Sequence, residues 1–221
     1  MAVKIKICGL SREEDMEYAN QAMPDYIGFV FWEHSRRYVS HKRAAALRRL
    51  LKPEIQAVGV FVDAPREEIL SLLREGVIDL AQLHGGETEE DIQYLQAATG
   101  KPVIKAVKVR NRRDVEAWLD SSADHLLFDS GMGSGAAFDW GLLKDIPREF
   151  FLAGGLNPEN LRQAVETVRP YAVDISSGVE TDGIKDRGKI QEAVNLVRSL
   201  QSLGGHAEFS GQDPDSCDNF A

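Results

Sequence analysis

Cysteine is scarce in this sequence, and its two occurrences lie far apart, at Cys8 and Cys217. Two cysteines cannot build the disulfide framework of a small secreted domain, and this pair lacks the spacing of metal ligands. The sequence therefore favours a protein of the reducing cytoplasm, and it predicts no metal site.

Long apolar runs are also missing. No uninterrupted stretch approaches the roughly 20 apolar residues needed to cross a bilayer, so no membrane span is expected. The first ten residues, MAVKIKICGL, interleave Lys4 and Lys6 with apolar residues and have no apolar core of the length that a signal peptide requires. We therefore expect a cytoplasmic protein.

Basic residues are in the minority. The 26 Lys and Arg against 35 Asp and Glu give a formal net charge of −9. Nucleic acids and anionic membranes are repelled by such a field, so neither is expected as a partner. A phosphorylated small molecule remains compatible if a local basic pocket receives it. The 221 residues, 43% of them hydrophobic, suit one globular domain.

Eight short apolar runs are present. They are VKIKIC, YIGFVF, AVGVFV, LAQLHG, PVIKAV, HLLFDS, FFLAGG and AVDISS. Nearly continuous apolar strands are typical of a parallel sheet that helices cover on both faces. Stretches with helical i, i+3, i+4 periodicity separate the runs, as at Ile69, Leu72 and Leu73.

This alternation predicts a single (β/α)₈ barrel over residues 1–200, because eight strand-helix units close a barrel. An open doubly wound sheet is the alternative. Three helix starts are indicated by Ser11 with Glu14, by Thr88, and by Asn157 with Pro158. Residues 201–221 are rich in Gly, Ser and Asp and have no period, so they are predicted to be a disordered tail.

The functional residues of such a barrel lie where its strands end, at the carboxyl rim. The residues that close the runs are Cys8, Gly9, Arg36, Arg37, His84, Gly85, Asp129, Gly154, Gly155, Ser176, Ser177 and Gly178. Glycines in the loops after strands 7 and 8 favour a phosphate site, because they let backbone N–H groups approach an anion. A thiolate, stabilised by positive neighbours, could act as a general base.

Each of these residues also has a plainer interpretation. A cysteine that closes a strand is more often a small buried hydrophobe, and an aspartate there can cap the next loop. The glycines can serve as turns, a lone histidine is usually structural, and an arginine pair is usually solvated. Their occurrence together on one rim favours the functional interpretation.

The sequence closely resembles phosphoribosylanthranilate isomerases. The matching segments are KICG (6–9), GFVF (28–31), SRRYV (35–39), VGVF (58–61), QLHG (82–85), FDS (128–130), GSG followed by FDW (133–140), GGLNPEN (154–160) and VDISSGVE (173–180). They occur in order and span residues 4 to about 200. The tail matches nothing in the pattern, and the loop 131–135 is shorter than in some relatives.

The resemblance implies isomerisation of N-(5′-phosphoribosyl)anthranilate, the aldose-to-ketose Amadori step of tryptophan biosynthesis, with no cofactor. Cys8 is then the general base and Asp129 the general acid. Arg37 faces the anthranilate carboxylate, and His84 has a supporting role in substrate binding. The phosphate is held by backbone groups of Gly154, Gly155, Ser176, Ser177 and Gly178.

Two alternatives remain. One is another sugar-phosphate barrel enzyme: indole-glycerol-phosphate synthase would need a catalytic lysine-glutamate set that cannot be placed on these strand ends. The histidine-pathway aminoaldose isomerase would need an aspartate after strand 1, where this chain has Cys8. The other alternative is a non-catalytic barrel that binds phosphorylated ligands. The oligomeric state stays open between monomer and homodimer.

Overall fold

The fold was analysed in a computed structural model that describes residues 2–130 and 139–203. Its principal strands are β1 (Lys4–Cys8), β2 (Tyr26–Val30), β3 (Gln56–Phe61), β4 (Leu80–Leu83), β5 (Val103–Lys108), β6 (His125–Asp129), β7 (Phe150–Leu152) and β8 (Ala172–Ile175). Each coincides with a predicted run or extends past it by one residue.

These eight strands form a closed, parallel barrel in chain order. Closure is made by β8 pairing with β1, where Lys4 lies opposite Ala172 and Ile7 opposite Ile175. The predicted (β/α)₈ barrel is therefore confirmed. The alternative of an open sheet is wrong, because such a sheet would leave its first and last strands unpaired.

In the part of the chain that the structure describes, seven α-helices surround the barrel. They are α1 (Glu13–Ala22), α2 (His41–Arg48), α3 (Arg66–Arg74), α4 (Glu89–Thr99), α5 (Arg112–Glu116), α6 (Pro158–Val168) and α7 (Arg187–Leu203). In the described part of the β6–β7 connection, a 3₁₀ turn (Trp140–Leu143) takes the place of a helix. A second 3₁₀ turn (Ser177–Val179) follows β8 and leads into a hairpin of β9 (Glu180–Thr181) and β10 (Ile184–Lys185).

Two of the three predicted helix starts are confirmed. The Thr88 hydroxyl accepts a hydrogen bond from the Asp91 amide at the start of α4. The Asn157 side chain likewise accepts from the first amides of α6, with Pro158 in the first helical position. Both side chains satisfy amides that have no partner within the helix.

The predicted pairing of Ser11 with Glu14 is wrong by one position. Helix α1 begins after Arg12, and the Asp15 carboxylate accepts hydrogen bonds from the amides of Ser11 and Arg12. Asp15 is fixed in this role because the Arg12 guanidinium also donates to it, at 3.0 and 2.6 Å. Glu14, by contrast, is exposed.

The apolar core has two layers. Between the strands and the helices lies a large cluster that includes Ile5 and Ile7 of β1. A smaller cluster fills the barrel interior, with Val58, Leu127 and Phe151 among its members. Successive residues of a strand point to opposite faces, so the residues of β1 that alternate with its isoleucines face the interior.

Helix α7 ends at Leu203, three residues beyond its predicted end. The rest of the predicted tail, 204–221, and the loop 131–135 lie outside the described residues. The disorder of the tail stays a prediction. Among the helices that the structure describes, none combines the length and apolarity that crossing a membrane demands.

Candidate active site

Cys8 ends β1 at the carboxyl rim, and only 9% of its surface is exposed. Its carbonyl oxygen accepts a hydrogen bond of 3.0 Å from the Ser176 hydroxyl, which connects β1 to the loop after β8. Burial raises the pKa of the Cys8 thiol, while the ammonium groups of Lys6 and Lys185 act in the opposite direction. The expected positive neighbours are present, but burial outweighs them, so the thiol form is favoured in the unliganded protein.

Lys6 lies one layer below Cys8, with its side chain fully buried. Its amine donates hydrogen bonds of 2.8 Å to Asp174 on β8 and to Gln82 on β4. Burial opposes a charge on Lys6, but Asp174 and Cys8 together outweigh it and raise the pKa of the amine. An ammonium group is thus held in the barrel beneath the thiol.

His84 and Asp129 meet at the rim from β4 and β6. The Gln82 side-chain amide lies 3.0 Å from His84 Nδ1, and His84 Nε2 lies 3.4 Å from Asp129 Oδ2. The other carboxylate oxygen, Oδ1, lies 3.4 Å from the Ser130 hydroxyl. Asp129 is half-buried and has polar neighbours at the mouth of the barrel. This agrees with the expectation that a carboxylate at the end of an apolar strand faces a polar cavity.

The loop that carries His84 is fixed from below by a buried ion pair. The Lys105 amine donates to the Gly85 carbonyl at 2.8 Å and to the Glu87 carboxylate at 3.0 Å. Glu87 in turn accepts from the amides of Gly85 and Asp63. Because each partner also binds backbone, the pair holds the loop in one conformation.

Arg37 belongs to a cationic cluster around one buried carboxylate, Glu180. Its guanidinium donates two parallel hydrogen bonds to Glu180, of 2.7 and 3.0 Å. Lys185 and Arg36 donate to the same carboxylate, at 2.8 and 2.6 Å. Burial disfavours the charge on Glu180, yet the hydrogen bonds from Arg37 and Lys185 lower the pKa of that carboxyl. Three cations around one anion leave an excess of positive charge on this side of the mouth.

Gly9 makes room for Arg37. Its φ of +81° is a left-handed conformation that glycine adopts easily, and a Cβ there would overlap the Arg37 Cδ atom. The glycine of the KICG segment therefore lets the arginine cross directly over the end of β1.

The loops after β7 and β8 touch each other. Gly178 is packed so closely that a Cβ on it would overlap the Leu156 carbonyl oxygen. Among the described residues, the backbone amides of Gly155, Ser177 and Gly178 make no backbone hydrogen bond outside the 3₁₀ turn to which Ser177 and Gly178 belong. The first amides of α6 differ, because the Asn157 side chain occupies them. These loop amides can therefore bind an anion. We call residues 154–155 and 176–178 the phosphate loops, after their predicted role.

The sequence-predicted residues of the described chain all reach the same rim, at the ends of β1, β4, β6, β7 and β8 and in the loop after β2. Sequence reasoning missed five participants: Lys6, Gln82, Asp174, Glu180 and Lys185. For Lys6 a signal existed, because alternation along KIKIC places Lys6 and Cys8 on one face of the strand. Within the described ranges, no three His, Cys, Asp or Glu side chains are grouped to hold a metal ion.

The fold and this rim define a (β/α)₈-barrel enzyme with a cationic, glycine-rich mouth. A family model described as N-(5′-phosphoribosyl)anthranilate (PRA) isomerase matches residues 5–196. The chain belongs to this family.

Individual relatives agree. The N-(5′-phosphoribosyl)anthranilate isomerase of Endomicrobium trichonymphae is 49% identical over 202 residues, which cover 89% of this chain and 99% of the relative. The crystal structure of phosphoribosyl anthranilate isomerase from Thermotoga maritima has a TM-score of 0.81 and 38% identity, over 90% of this chain and 100% of that one. A crystal structure of such an isomerase in complex with reduced 1-(o-carboxyphenylamino)-1-deoxyribulose 5-phosphate has a TM-score of 0.80 and 39% identity, with the same coverage.

Proposed function

We propose that this chain isomerises N-(5′-phosphoribosyl)anthranilate to 1-(o-carboxyphenylamino)-1-deoxyribulose 5-phosphate, the Amadori step of tryptophan biosynthesis. The observation that carries the proposal is one rim that holds a thiol above a buried ammonium group, a carboxyl beside a histidine, and two glycine loops. Cys8 and Asp129 stand on β1 and β6, with only β7 and β8 between them on one side of the ring. This spacing suits two groups that act on one substrate across the mouth.

Asp129 is the general acid in this proposal. Its carboxyl proton passes to the furanose ring oxygen, and the bond from that oxygen to C1′ breaks. The nitrogen lone pair forms a C1′=N double bond, which leaves a positive iminium group. General acid catalysis of this kind contributes about 10²–10⁴-fold to a rate.

Cys8 is the general base. As a thiolate it removes the proton from C2′, which the iminium has acidified, and the resulting enolamine tautomerises to the ketose. The thiol must lose its own proton first, and burial opposes that loss. The ammonium groups of Lys6 and Lys185 stabilise the thiolate once it forms, because opposite charges attract strongly where water is excluded.

Substrate binding falls to the cationic cluster and the phosphate loops. Arg37 carries five N–H donors, and its two hydrogen bonds to Glu180 leave others to face the anthranilate carboxylate. The loop amides of residues 154–155 and 176–178 receive the phosphate. His84 supports substrate binding at the rim. The net charge of −9 makes this local positive cluster the main attraction for an anionic substrate.

Turnover of freshly generated phosphoribosylanthranilate, followed by loss of anthranilate fluorescence, tests the proposal. Asp129→Asn keeps the shape and a hydrogen-bond donor but cannot deliver a proton. We expect turnover to fall by about 10²–10⁴-fold, while binding of the reduced product survives, because only the transition state uses the lost interaction. A variant within a few-fold of the parent would contradict the role of Asp129. Binding by the parent without any turnover would indicate a non-catalytic barrel.

The cellular location and the oligomeric state of the enzyme are also expectations. A cytoplasmic location, a small-molecule phosphorylated substrate and a monomeric or homodimeric state agree with the composition. The relative from Thermotoga maritima is described as dimeric. Light scattering on the purified chain distinguishes the two states.

A further inference from the structure

A continuous line of polar side chains crosses the barrel beneath its mouth, from β8 to β6. Asp174, Lys6, Gln82, His84 and Asp129 follow one another at 2.8, 2.8, 3.0 and 3.4 Å. Lys6 and Gln82 are at most 1% exposed, so water does not compete for their hydrogen bonds. The order of donors and acceptors along this line is fixed by chemistry, starting from the lysine.

Lys6 determines which way the Gln82 amide faces. An ammonium group can only donate, so the Gln82 atom 2.8 Å from Lys6 Nζ has to be the carbonyl oxygen. Asp174 keeps the lysine charged, because its carboxylate raises the pKa of the amine despite burial. The Gln82 NH₂ group is thereby turned toward the other end of the line.

Gln82 in turn determines the tautomer of His84. The NH₂ group can only donate, and it lies 3.0 Å from His84 Nδ1, so that nitrogen has to carry a lone pair. The proton of the neutral ring is then on Nε2. That nitrogen lies 3.4 Å from Asp129 Oδ2, a distance that can shorten when a substrate is bound.

The Asp129 oxygen that lies 3.4 Å from His84 Nε2 is Oδ2. Oδ1 lies on the side of the phosphate loops, 2.9 Å from the position that a Cβ on Gly154 would occupy. The Ser130 hydroxyl donates to Oδ1 at 3.4 Å. When the proton leaves, the histidine N–H stabilises the new carboxylate, since hydrogen bonds to charged groups are the stronger ones.

We propose that Gln82 is a positioning residue: held by Lys6, it keeps His84 in the Nε2–H tautomer, so that this N–H stabilises the carboxylate that forms when Asp129 gives up its proton. The inference rests on the proposed function for its catalytic meaning. The tautomer itself can be measured whether or not the chain turns over.

The first test is a nitrogen NMR spectrum of the ¹⁵N-histidine-labelled parent at alkaline pH, where the imidazole is neutral. The His84 signals are assigned by their disappearance in His84→Gln. We expect a protonated Nε2 and an unprotonated Nδ1. A protonated Nδ1 in the parent overturns the proposal, and this test needs no substitution at position 82.

The second test uses Gln82→Glu to reverse the direction of the hydrogen bond between residue 82 and His84. A carboxylate still accepts from Lys6, but toward His84 it can only accept, so Nδ1 should become protonated. We expect kcat to fall by about 10–100-fold, the usual effect of losing a partner that orients a functional histidine. KM should change less than kcat, because the phosphate loops and Arg37 are untouched and His84 has only a supporting role in binding. Gln93→Glu adds the same charge on the exposed face of α4 and should change neither value.

A double-mutant cycle separates this role from a merely structural one. Glutamine at position 84 has a side-chain NH₂ that can face Asp129 but no tautomers, so Gln82→Glu should have little further effect on kcat in His84→Gln. An equal loss of kcat in both backgrounds overturns the proposal, as does a Gln82→Glu protein with unchanged tautomer and kcat. If the parent has the expected tautomer but no turnover, the proposed function fails and the tautomer assignment stands.

Discussion

The two ends of the barrel use the same strand, β1, in different ways. Three of its alternate residues face the interior: Lys4 at the amino end, Lys6 in the middle and Cys8 at the carboxyl end. At the amino end, Lys4 donates 2.6 Å to the Tyr171 hydroxyl and lies 4.7 Å from the centre of that ring. No carboxylate of the described chain forms an ion pair with Lys4.

Neutral aromatic groups surround Lys4. The Tyr26 and Tyr171 hydroxyls are 3.1 Å apart, and the His125 ring stacks on Tyr171 with centroids 4.7 Å apart. Burial and the hydrogen bond with Tyr171 raise the pKa of Tyr26, so its phenol stays neutral. At the carboxyl end, by contrast, buried cations meet carboxylates. The comparison shows that a lysine inside the barrel does not by itself indicate an active site. The groups that it binds, phenols for Lys4 and a carboxylate for Lys6, make the difference.

The largest effect that can test this comparison is expected from Cys8→Ala. Removal of the proposed general base should reduce turnover by about 10²–10⁴-fold, with little change in thermal stability, because only a small side chain is lost. Steady-state assays and thermal melts measure the two effects. Cys217→Ser, in the predicted tail, is the matched control and should leave turnover unchanged. Near-normal turnover of the alanine variant would mean that another group takes the proton.

The second prediction compares the two lysines directly. Lys6→Met leaves the Asp174 carboxylate buried without its cation, so the free energy of unfolding should fall by about 3–5 kcal/mol. Lys4→Met removes hydrogen bonds to two phenols, those of Tyr171 and Tyr26, and should reduce the free energy of unfolding by only about 1–2 kcal/mol. Urea unfolding measures both. Adding Asp174→Leu to Lys6→Met should restore much of the loss, and equal losses for the two lysines would contradict the comparison.

The third prediction concerns the cationic cluster at the rim. Arg37→Ala should raise KM by about 10–100-fold, because the loss of a charge-assisted hydrogen bond weakens binding by about that factor. Inhibition by inorganic phosphate should be unchanged. Arg36 is 58% exposed and makes one bond to Glu180, so Arg36→Ala should change KM only a few-fold. Parallel loss of substrate and phosphate binding in Arg37→Ala would instead place Arg37 at the phosphate.

The smallest effect is expected at the amino end, in the pH dependence of stability. Burial lowers the pKa of His125 from 6.5, although Glu149 and Asp124 act in the opposite direction. The unfolded chain then binds a proton that the folded chain does not, so stability should be lost as the pH falls below about 6.5. His125→Phe should reduce this loss between pH 7.5 and 5.5 in urea titrations. An unchanged pH dependence would show that other groups cause it.

Local signals allowed much of the fold to be predicted. The eight strands are apolar runs of the right length, and Thr88 and Asn157 cap helices as their residue types indicate. The cap at α1 was misplaced because Ser11 and Asp15 are both plausible capping residues. The choice depends on the contact between Arg12 and Asp15, an i,i+3 ion pair that a search for serine and glutamate caps does not include.

The rim could be predicted only in part. A residue that closes a strand can be recognised from sequence, so Cys8, His84 and Asp129 were found. Their partners are set by the closure of the barrel: Lys6 and Asp174 are 168 residues apart, and Arg37 and Glu180 are 143 apart. Gln82 and Lys6 lie within apolar runs, where a polar residue gives no indication of which neighbour it will meet.

Gly178 packs closely against the Leu156 carbonyl, so the two phosphate loops support each other. A preorganised anion site loses little conformational entropy on binding, so most of the attraction for a phosphate is available as binding energy. In the proposed mechanism the phosphate takes no part in the proton transfers, yet it anchors one end of the sugar. The binding energy of the phosphate can thus help to position C1′ and C2′ next to the acid and the base.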